Sequence, residues 1–257
     1  MYDIIGNIAI INPAQKDNEK LIQKIKTKHK NVQSIYVIKT KTSGIYRIKK
    51  HQFLWGKKST KTIHKENKLI FELDIDKVFF SPRMSFERMR IAKQIKKPSN
   101  IIVMFAGIGP FPITLAKYAN AKKIYGIEIN KTAYKYFKKN IELNKVKNVQ
   151  AILGDVRKVL KNKKYFEWAD RILMPHPYKD TNYLKIALRC IKNGGIIHYY
   201  DFATKDNWEK EIIRKIKKQL PKNIKIKILN KKIVREIAKN ILNCVFDIKI
   251  YKKNKNQ

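Results

Sequence analysis

Residues 100–105, NIIVMF, run directly into AGIGPF, and this succession constrains the fold more than any other stretch. Consecutive bulky apolar residues ahead of a short loop mark a strand buried on both faces, as in a parallel sheet covered by helices. Gly107 and Gly109 lack a Cβ, so backbone N–H groups of the loop can approach a ligand closely. Downstream the order is strand, helix, strand, helix: 100–105, 110–119, 123–128, 131–143, 149–153, 170–174, 180–192 and 195–201. That alternation predicts an α/β fold with a right-handed, mostly parallel sheet and helices on both faces.

Upstream the periodicity differs. DIIGNIAIIN (3–12) reads as a strand, and Leu21, Ile22 and Ile25 sit at helical spacing within 14–28. SIYVIK (34–39), GIYRIK (44–49), HQFLWG (51–56) and LIFELDI (69–75) are β-rich, so residues 1–80 are expected to form a small α+β domain on an antiparallel sheet. In FFSPRMSFERMRIAKQI, Ser81 can cap a helix, Pro82 suits its first position, and Met84, Arg88 and Ile91 recur at helical spacing. The larger domain is expected over 81–251, closing with the strand ILNCVFDIKIYK, and 252–257 reads as a basic tail.

Ligands of such sheets bind at the carboxyl ends of the strands, near the switch in strand order. The second strand, KKIYGIEIN, ends at Glu128, a carboxylate able to accept from both hydroxyls of a ribose. After the third strand, Asp155 of LGDVRKV is placed to meet an adenine amino group. A glycine loop, an acid after strand two and another after strand three indicate a nucleoside cofactor. The spacing departs from the GxGxxG dinucleotide pattern and suits S-adenosylmethionine. Phe105, Ala106 and Val156 flank these positions and complete the expected cofactor contacts.

Lys and Arg total 59 against 20 Asp and Glu, a net charge of +39. Such an excess attracts polyanions through counterion release. An RNA partner accounts for it better than a solvated Lys-rich surface alone, because the basic residues persist in every segment. Cys190 and Cys244 have no paired or metal-like spacing, which fits a reducing compartment and no structural metal. MYDIIGNIAII lacks the features of a signal peptide, and no apolar run approaches ~18 residues, so a soluble, cytoplasmic protein is expected.

FFSPRMSFERMR, MFAGIGPF, KKIYGIEIN and IIHYYDF together resemble the archaeal-eukaryotic family of tRNA guanine-37 N1-methyltransferases. Close relatives of that family act in wyosine biosynthesis on the same nucleotide. The resemblance covers nearly the whole chain. It implies a class I, Rossmann-like methyltransferase domain preceded by a small tRNA-contacting domain. It also implies S-adenosylmethionine as cofactor and the anticodon stem-loop of tRNA as partner, with no protein partner required. Many members carry a further N-terminal domain that grips the tRNA elbow, and this chain is expected to begin without it.

By the same resemblance Glu87 removes the proton of guanine N1, Arg47 faces guanine O6, and Arg88 reaches the cofactor. From residue identity alone, Glu87 would instead pair with Arg83 or Arg90 along its own helix. Phe79 stands where relatives commonly have Tyr. Arg83, His176 and Tyr178 fall on the substrate side, where Tyr178 can stack on a flipped-out base. His198 of IIHYYDF reads as a structural residue at a strand end.

Two departures bear on function. Val103 replaces an acid that relatives carry near the methionine moiety. Pro175, beside the cofactor, replaces an Asn that orients the target guanine, with His176 next to it. These departures leave substrate choice open, with an enzyme that also methylates C7 of the wyosine precursor 4-demethylwyosine as the alternative. Aminocarboxypropyl transfer is disfavoured, because those relatives read FSxGN and GHLS. A non-catalytic RNA-binding protein with a decayed cofactor site is the reading from another class. Retention of Gly107, Gly109, Glu128, Asp155 and Glu87 stands against it.

Overall fold

The computed structural model describes residues 2–12, 18–40, 46, 48–175 and 183–253. It opens with β1 (Tyr2–Ile5), β2 (Ile8–Ile11), α1 (Asn18–Lys28), β3 (Ser34–Ile38) and β4 (His51–Gly56), the four strands forming one sheet in sequence order. DIIGNIAIIN is thus a hairpin rather than one strand, turned at Gly6 and Asn7 so that Tyr2 lies opposite Ile11. The sheet is mixed rather than antiparallel. Helix α1 carries the chain across from β2 to β3, which therefore run parallel, and its Ile25 is buried against Ala9, Ile11 and Ile35.

A separate hairpin follows, β5 (Lys61–Glu66) and β6 (Leu69–Asp74), turning through Asn67 and Lys68 with φ of 47° and 58°. Then come α2 (Ser85–Gln94), β7 (Ser99–Met104), α3 (Pro110–Tyr118), β8 (Ala121–Glu128), α4 (Lys131–Leu143), β9 (Val149–Leu153) and α5 (Val156–Val159). The chain ends with β10 (Ala169–Met174), α6 (Tyr183–Cys190), β11 (Ile191–Thr204), α7 (Trp208–Gln219), β12 (Ile224–Ala238) and β13 (Ile241–Lys252). The large sheet has the order β12-β13-β11-β10-β7-β8-β9, with β9, β8, β7, β10 and β11 parallel and β13 antiparallel to both its neighbours.

Strand β7 shows why the core has two halves. Ile101 and Val103 point to one face, where they pack with Ile91 of α2, Leu115 of α3 and Phe137 of α4. Ile102 and Met104 point to the other, against Leu184 and Ala187 of α6 and Ile212 of α7. The strand order reverses around β7, with β8 on one side and β10 on the other, so a crevice opens at their carboxyl ends. Among the described residues no helix is long and apolar enough to cross a membrane.

Two amides on α4 attach the β5–β6 hairpin to this sheet. Asn140 Oδ1 accepts from Glu72 N at 2.8 Å, while its Nδ2 donates to Glu72 O at 3.2 Å and to Ile108 O at 3.0 Å. One turn later Asn144 repeats the pairing, accepting from Ile70 N at 2.8 Å and donating to Ile70 O at 2.6 Å. Side chains four apart on a helix lie on one face, and residues two apart on a strand share an edge. The two amides therefore act as a substitute neighbouring strand. The hairpin also touches the first sheet, since Gly6 N donates to His64 Nδ1 and Asn7 N to Thr62 Oγ1, both at 3.2 Å.

Asn140 is fully buried, so Asn140→Ala leaves the Glu72 N–H and the Ile108 carbonyl without their partner. Urea unfolding is expected to show a loss of about 3 kcal/mol for Asn140→Ala and about 1 kcal/mol for the less buried Asn144→Ala. Equal or negligible losses would contradict this attachment.

Candidate functional site

The crevice at the ends of β7 and β8 is a cleft of about 830 Å³, its open mouth included. Its walls are Tyr46, Phe79, Phe80 and Met84 on one side and Phe105–Gly107, Phe111, Glu128 and Pro175 on the other, with Arg88 among them. Phe105 ends the strand with φ of 58°, a left-handed conformation that costs a bulky residue about 1–3 kcal/mol. Its ring meets Tyr183 edge-on at 4.8 Å. This bend turns the chain into the glycine loop.

A single carboxylate fixes that loop. Glu128 Oε2 accepts from Gly107 N and Oε1 from Asn130 N, each at 2.7 Å. Burial pushes the Glu128 carboxyl above its ordinary range, and the backbone donors of Asn130, Gly107 and Ile129 only partly offset this. Asn130 in turn caps α4, accepting from the N–H groups of Thr132 and Ala133. Gly107 has φ of 58°, and a Cβ there would stand 3.8 Å from the carbonyl of Phe79 across the cleft. At Gly109 a Cβ would sit 2.1 Å from the ring of Phe137, so the loop lies directly on α4.

Beyond Phe105 and Ile129 lies a second recess of about 430 Å³, lined by Gly154, Asp155, Val156 and Tyr183. Both residues border the cleft and the recess, so one elongated molecule can occupy the two. Asp155 caps the short α5 through Arg157 N at 2.7 Å and pairs with the Arg157 guanidinium at 2.7 Å. These bonds from Arg157 hold its carboxyl below the usual range. The acid at the end of β8 and the acid after β9 thus meet around one opening. S-adenosylmethionine fits this donor set. Glu128 can take ribose hydroxyls, the apolar recess a purine, and the space beside Gly107 the remainder.

Arg88 is 2% exposed, and its guanidinium donates to both oxygens of Glu66 at 2.7 and 2.5 Å. Glu66 escaped the sequence reading, because HKENK looks like a charged loop rather than the end of β5. Burial alone would raise its carboxyl, but bonds from His64 and Arg88 bring it below the usual range. Arg83 pairs with Asp3 of β1 at 2.6 Å, and Phe79 lines the cleft. Val103 is fully buried in the core, where it packs as an apolar residue of β7. Arg47, His176 and Tyr178 lie outside the described residues.

Glu87 is 4% exposed and stands outside the set of residues lining the cleft. It does pair with Arg90, through Nε at 2.7 Å and Nη2 at 2.8 Å, but as a buried pair rather than a surface one. Tyr200 Oη donates to its Oε1 at 2.6 Å. Arg90 also donates to Asp247 at 2.7 Å, and Asp247 lies 2.7 Å from His198 Nδ1. Arg171 donates to His198 Nε2 at 3.2 Å, so His198 carries its proton on Nδ1 and donates a hydrogen bond from it to Asp247. Burial lowers the His198 imidazole, which lies within β11 rather than at a strand end. Burial would raise Asp247, but bonds from His198 and Arg90 hold it far below the usual carboxylate range.

The Glu128 shift sets a pH dependence. Its folded-state carboxyl protonates at a pH above the ordinary 4.5, so the empty protein gains stability as pH falls through that window. The same proton removes an acceptor from the cleft. Affinity for S-adenosylhomocysteine, followed by calorimetry, is expected to fall on acidification before pH 4.5 is reached. Glu128→Gln should bind at least about tenfold more weakly near neutrality, without that acid fall. Wild-type affinity for Glu128→Gln would remove the residue from cofactor binding.

The pattern of the TRM5/TYW2 methyltransferase domain matches residues 62–229. The tRNA (guanine(37)-N(1))-methyltransferase Trm5b of Pyrococcus abyssi is 38% identical over 255 residues, 97% of this chain and 74% of the relative. Its crystal structure superposes with a TM-score of 0.84 at 37% identity, over 98% of this chain and 75% of that one. The Nanoarchaeum equitans enzyme Taw22, named a tRNA (guanine(37)-N(1))/4-demethylwyosine(37)-methyltransferase, is 35% identical over 84% of this chain and 87% of its own length. M. jannaschii TYW2, solved in complex with AdoMet, superposes with a TM-score of 0.75 at 28% identity, over 98% of this chain and 100% of that one. Strand order, glycine loop and sequence matches lead to one conclusion: the chain belongs to the TRM5/TYW2 methyltransferase family.

Proposed function

We propose that this protein methylates N1 of guanosine 37 in tRNA, using S-adenosylmethionine. The observation that carries the reading is a junction. Adjacent residues of α2 reach the cofactor cleft through Arg88 and present a buried carboxylate, Glu87, in a chain of net charge +39. When bound, the cofactor supplies an electrophilic methyl on a sulfonium. What remains for the protein is positioning and the removal of one proton.

Guanine N1 carries a hydrogen, so its lone pair is free only after a base takes that proton. Glu87 is the base on this reading and accepts it on a carboxylate oxygen, once docking of the tRNA brings the purine to α2. Arg47 faces the developing charge on O6. Phe79 and Arg83 belong to the substrate side, with His176 and Tyr178, and Pro175 borders both ligands. Residues 1–80 serve as the tRNA-contacting domain, 81–251 as the transfer domain and 252–257 as a basic tail. The enzyme works in the cytoplasm, where its substrate is matured.

Pro175 supports a second substrate for the same site. It lines the cleft and offers no side-chain amide to orient guanine, and Taw22, whose name includes 4-demethylwyosine, is among the relatives. Methylation at C7 of that precursor would then follow methylation at N1.

Transcripts of tRNA carrying G, A or C at position 37, incubated with labelled cofactor, should yield labelled 1-methylguanosine from the G transcript alone. Label arriving regardless of that base would contradict the proposal. Labelling of tRNA that bears 4-demethylwyosine tests the second substrate. Glu87→Gln should bind cofactor normally and lose about 100-fold or more in turnover. Full turnover would take Glu87 out of the base role.

A further inference from the structure

The buried side chains around Glu87 form a closed set. Arg90 on the same helix takes both oxygens, and Tyr200 on β11 takes Oε1 a second time. Arg90 is itself held by Asp247 on β13, at 2.7 Å to Oδ2 and 3.3 Å to Oδ1. Asp247 is also bonded by Gln94 and Asn230, at 3.1 and 3.2 Å, and by His198. Arg171 on β10 stands behind His198, and Arg88 is the next residue on the helix. Two buried carboxylates and two partly buried arginines, Arg90 and Arg171, thus balance one another.

Counting acceptor positions separates the two oxygens of Glu87. A carboxylate offers about four lone-pair directions, two on each oxygen. Arg90 occupies one on each, and the Tyr200 hydroxyl takes the second on Oε1. Among the described residues, Oε2 alone keeps a free direction. Tyr200 is 2% exposed, and its ring lies 6.2 Å from that of Phe111, which lines the cofactor cleft. Burial and the nearby charge of Glu87 push the phenol well above its ordinary range, so it stays a donor. A hydroxyl buried this deeply is costly without a partner, so the bond to Glu87 fixes both groups.

We infer that Tyr200 is a positioning residue for the transfer reaction: with Arg90 anchored by Asp247, it holds Glu87 in one rotamer and leaves Oε2 as the oxygen that receives the guanine N1 proton. This rests on Glu87 being the base. The proton leaves N1 as the N–H bond breaks and an O–H bond forms at Oε2. The freed electron pair on N1 takes the methyl as the methyl–sulfur bond breaks, its electron pair staying on the sulfur of the departing S-adenosylhomocysteine. Tyr200 itself exchanges no proton.

Turnover, the KM for tRNA and calorimetric affinity for S-adenosylhomocysteine are to be measured for Tyr200→Phe, Glu87→Gln and the double variant. Tyr200→Phe keeps the ring and its packing. It is expected to lower kcat about ten- to hundredfold, with tRNA KM and cofactor affinity within about twofold of wild type. In the Glu87→Gln background the same change should cost nothing further, because the group it positions is gone. A Tyr200→Phe loss of equal factor in both backgrounds, or one confined to KM or cofactor affinity, would overturn the inference. Wild-type kcat for Tyr200→Phe beside an inactive Glu87→Gln would overturn it while sparing the base reading, and an active Glu87→Gln would overturn that reading itself. Should Tyr200→Phe fold poorly, kcat is referred to the fraction of protein that binds S-adenosylhomocysteine in the calorimeter, so a loss of folded protein is not read as a loss of turnover.

Discussion

Glu128 is the contact on which the geometry of the cleft depends. Its two oxygens reach Gly107 N in the loop after β7 and Asn130 N ahead of α4, so one carboxylate ties two strand ends together. Asn130 then caps α4, Asn140 and Asn144 on α4 grip β6, and the β5–β6 hairpin delivers Glu66 to Arg88 at the cleft wall. Each step is local, and each fixes the next. A carboxylate held near ordered amides in a poorly hydrated site is unfavourable by burial alone, as the upward shift of Glu128 shows. Such a group is retained where a ligand supplies further hydrogen bonds.

A second buried charge system lies one helical face away. Removing one member of a buried, paired network leaves an uncompensated charge and is strongly destabilising, whereas the intact network adds little net stability. Its value here is directional. Arg90 spans Glu87 and Asp247, 157 residues from Arg90 in sequence, and so locks α2 against the β13 side of the sheet. Helix α2 joins the hairpin to the large sheet, and its Arg88 and Glu87 face different partners within one turn. The Arg88 wall of the cleft and the Glu87 carboxylate are therefore fixed by a single rigid element.

Legibility followed the kind of signal. Elements α4 and β9 fall at 131–143 and 149–153 as expected, because helical periodicity and short apolar strands are local properties. The glycine loop and the two acids after β8 and β9 were readable for the same reason. Helix α7 and strand β12 were missed, and so was β5. All three are lysine-rich, and in a chain of this charge a lysine-rich edge strand resembles a solvated loop. The mixed order of the first sheet depends on where α1 crosses, which its residues do not encode locally. The Glu87–Arg90 pair, three residues apart, was within reach of helical spacing. Glu66 on Arg88, Tyr200 on Glu87 and Asp247 on Arg90 lie 22 to 157 residues away, beyond the reach of any spacing rule. Sequence reading marked Glu87 and Arg88, and only the fold could show what holds them.

The most direct test of this account is a crystal structure of the protein with S-adenosylhomocysteine. The ribose hydroxyls should lie within hydrogen-bonding distance of the Glu128 carboxylate, with the purine in the recess beside Phe105, Ile129 and Val156 and Gly107 against the ligand. A nucleoside bound elsewhere on the sheet, or one in the cleft whose ribose avoids Glu128, would contradict it.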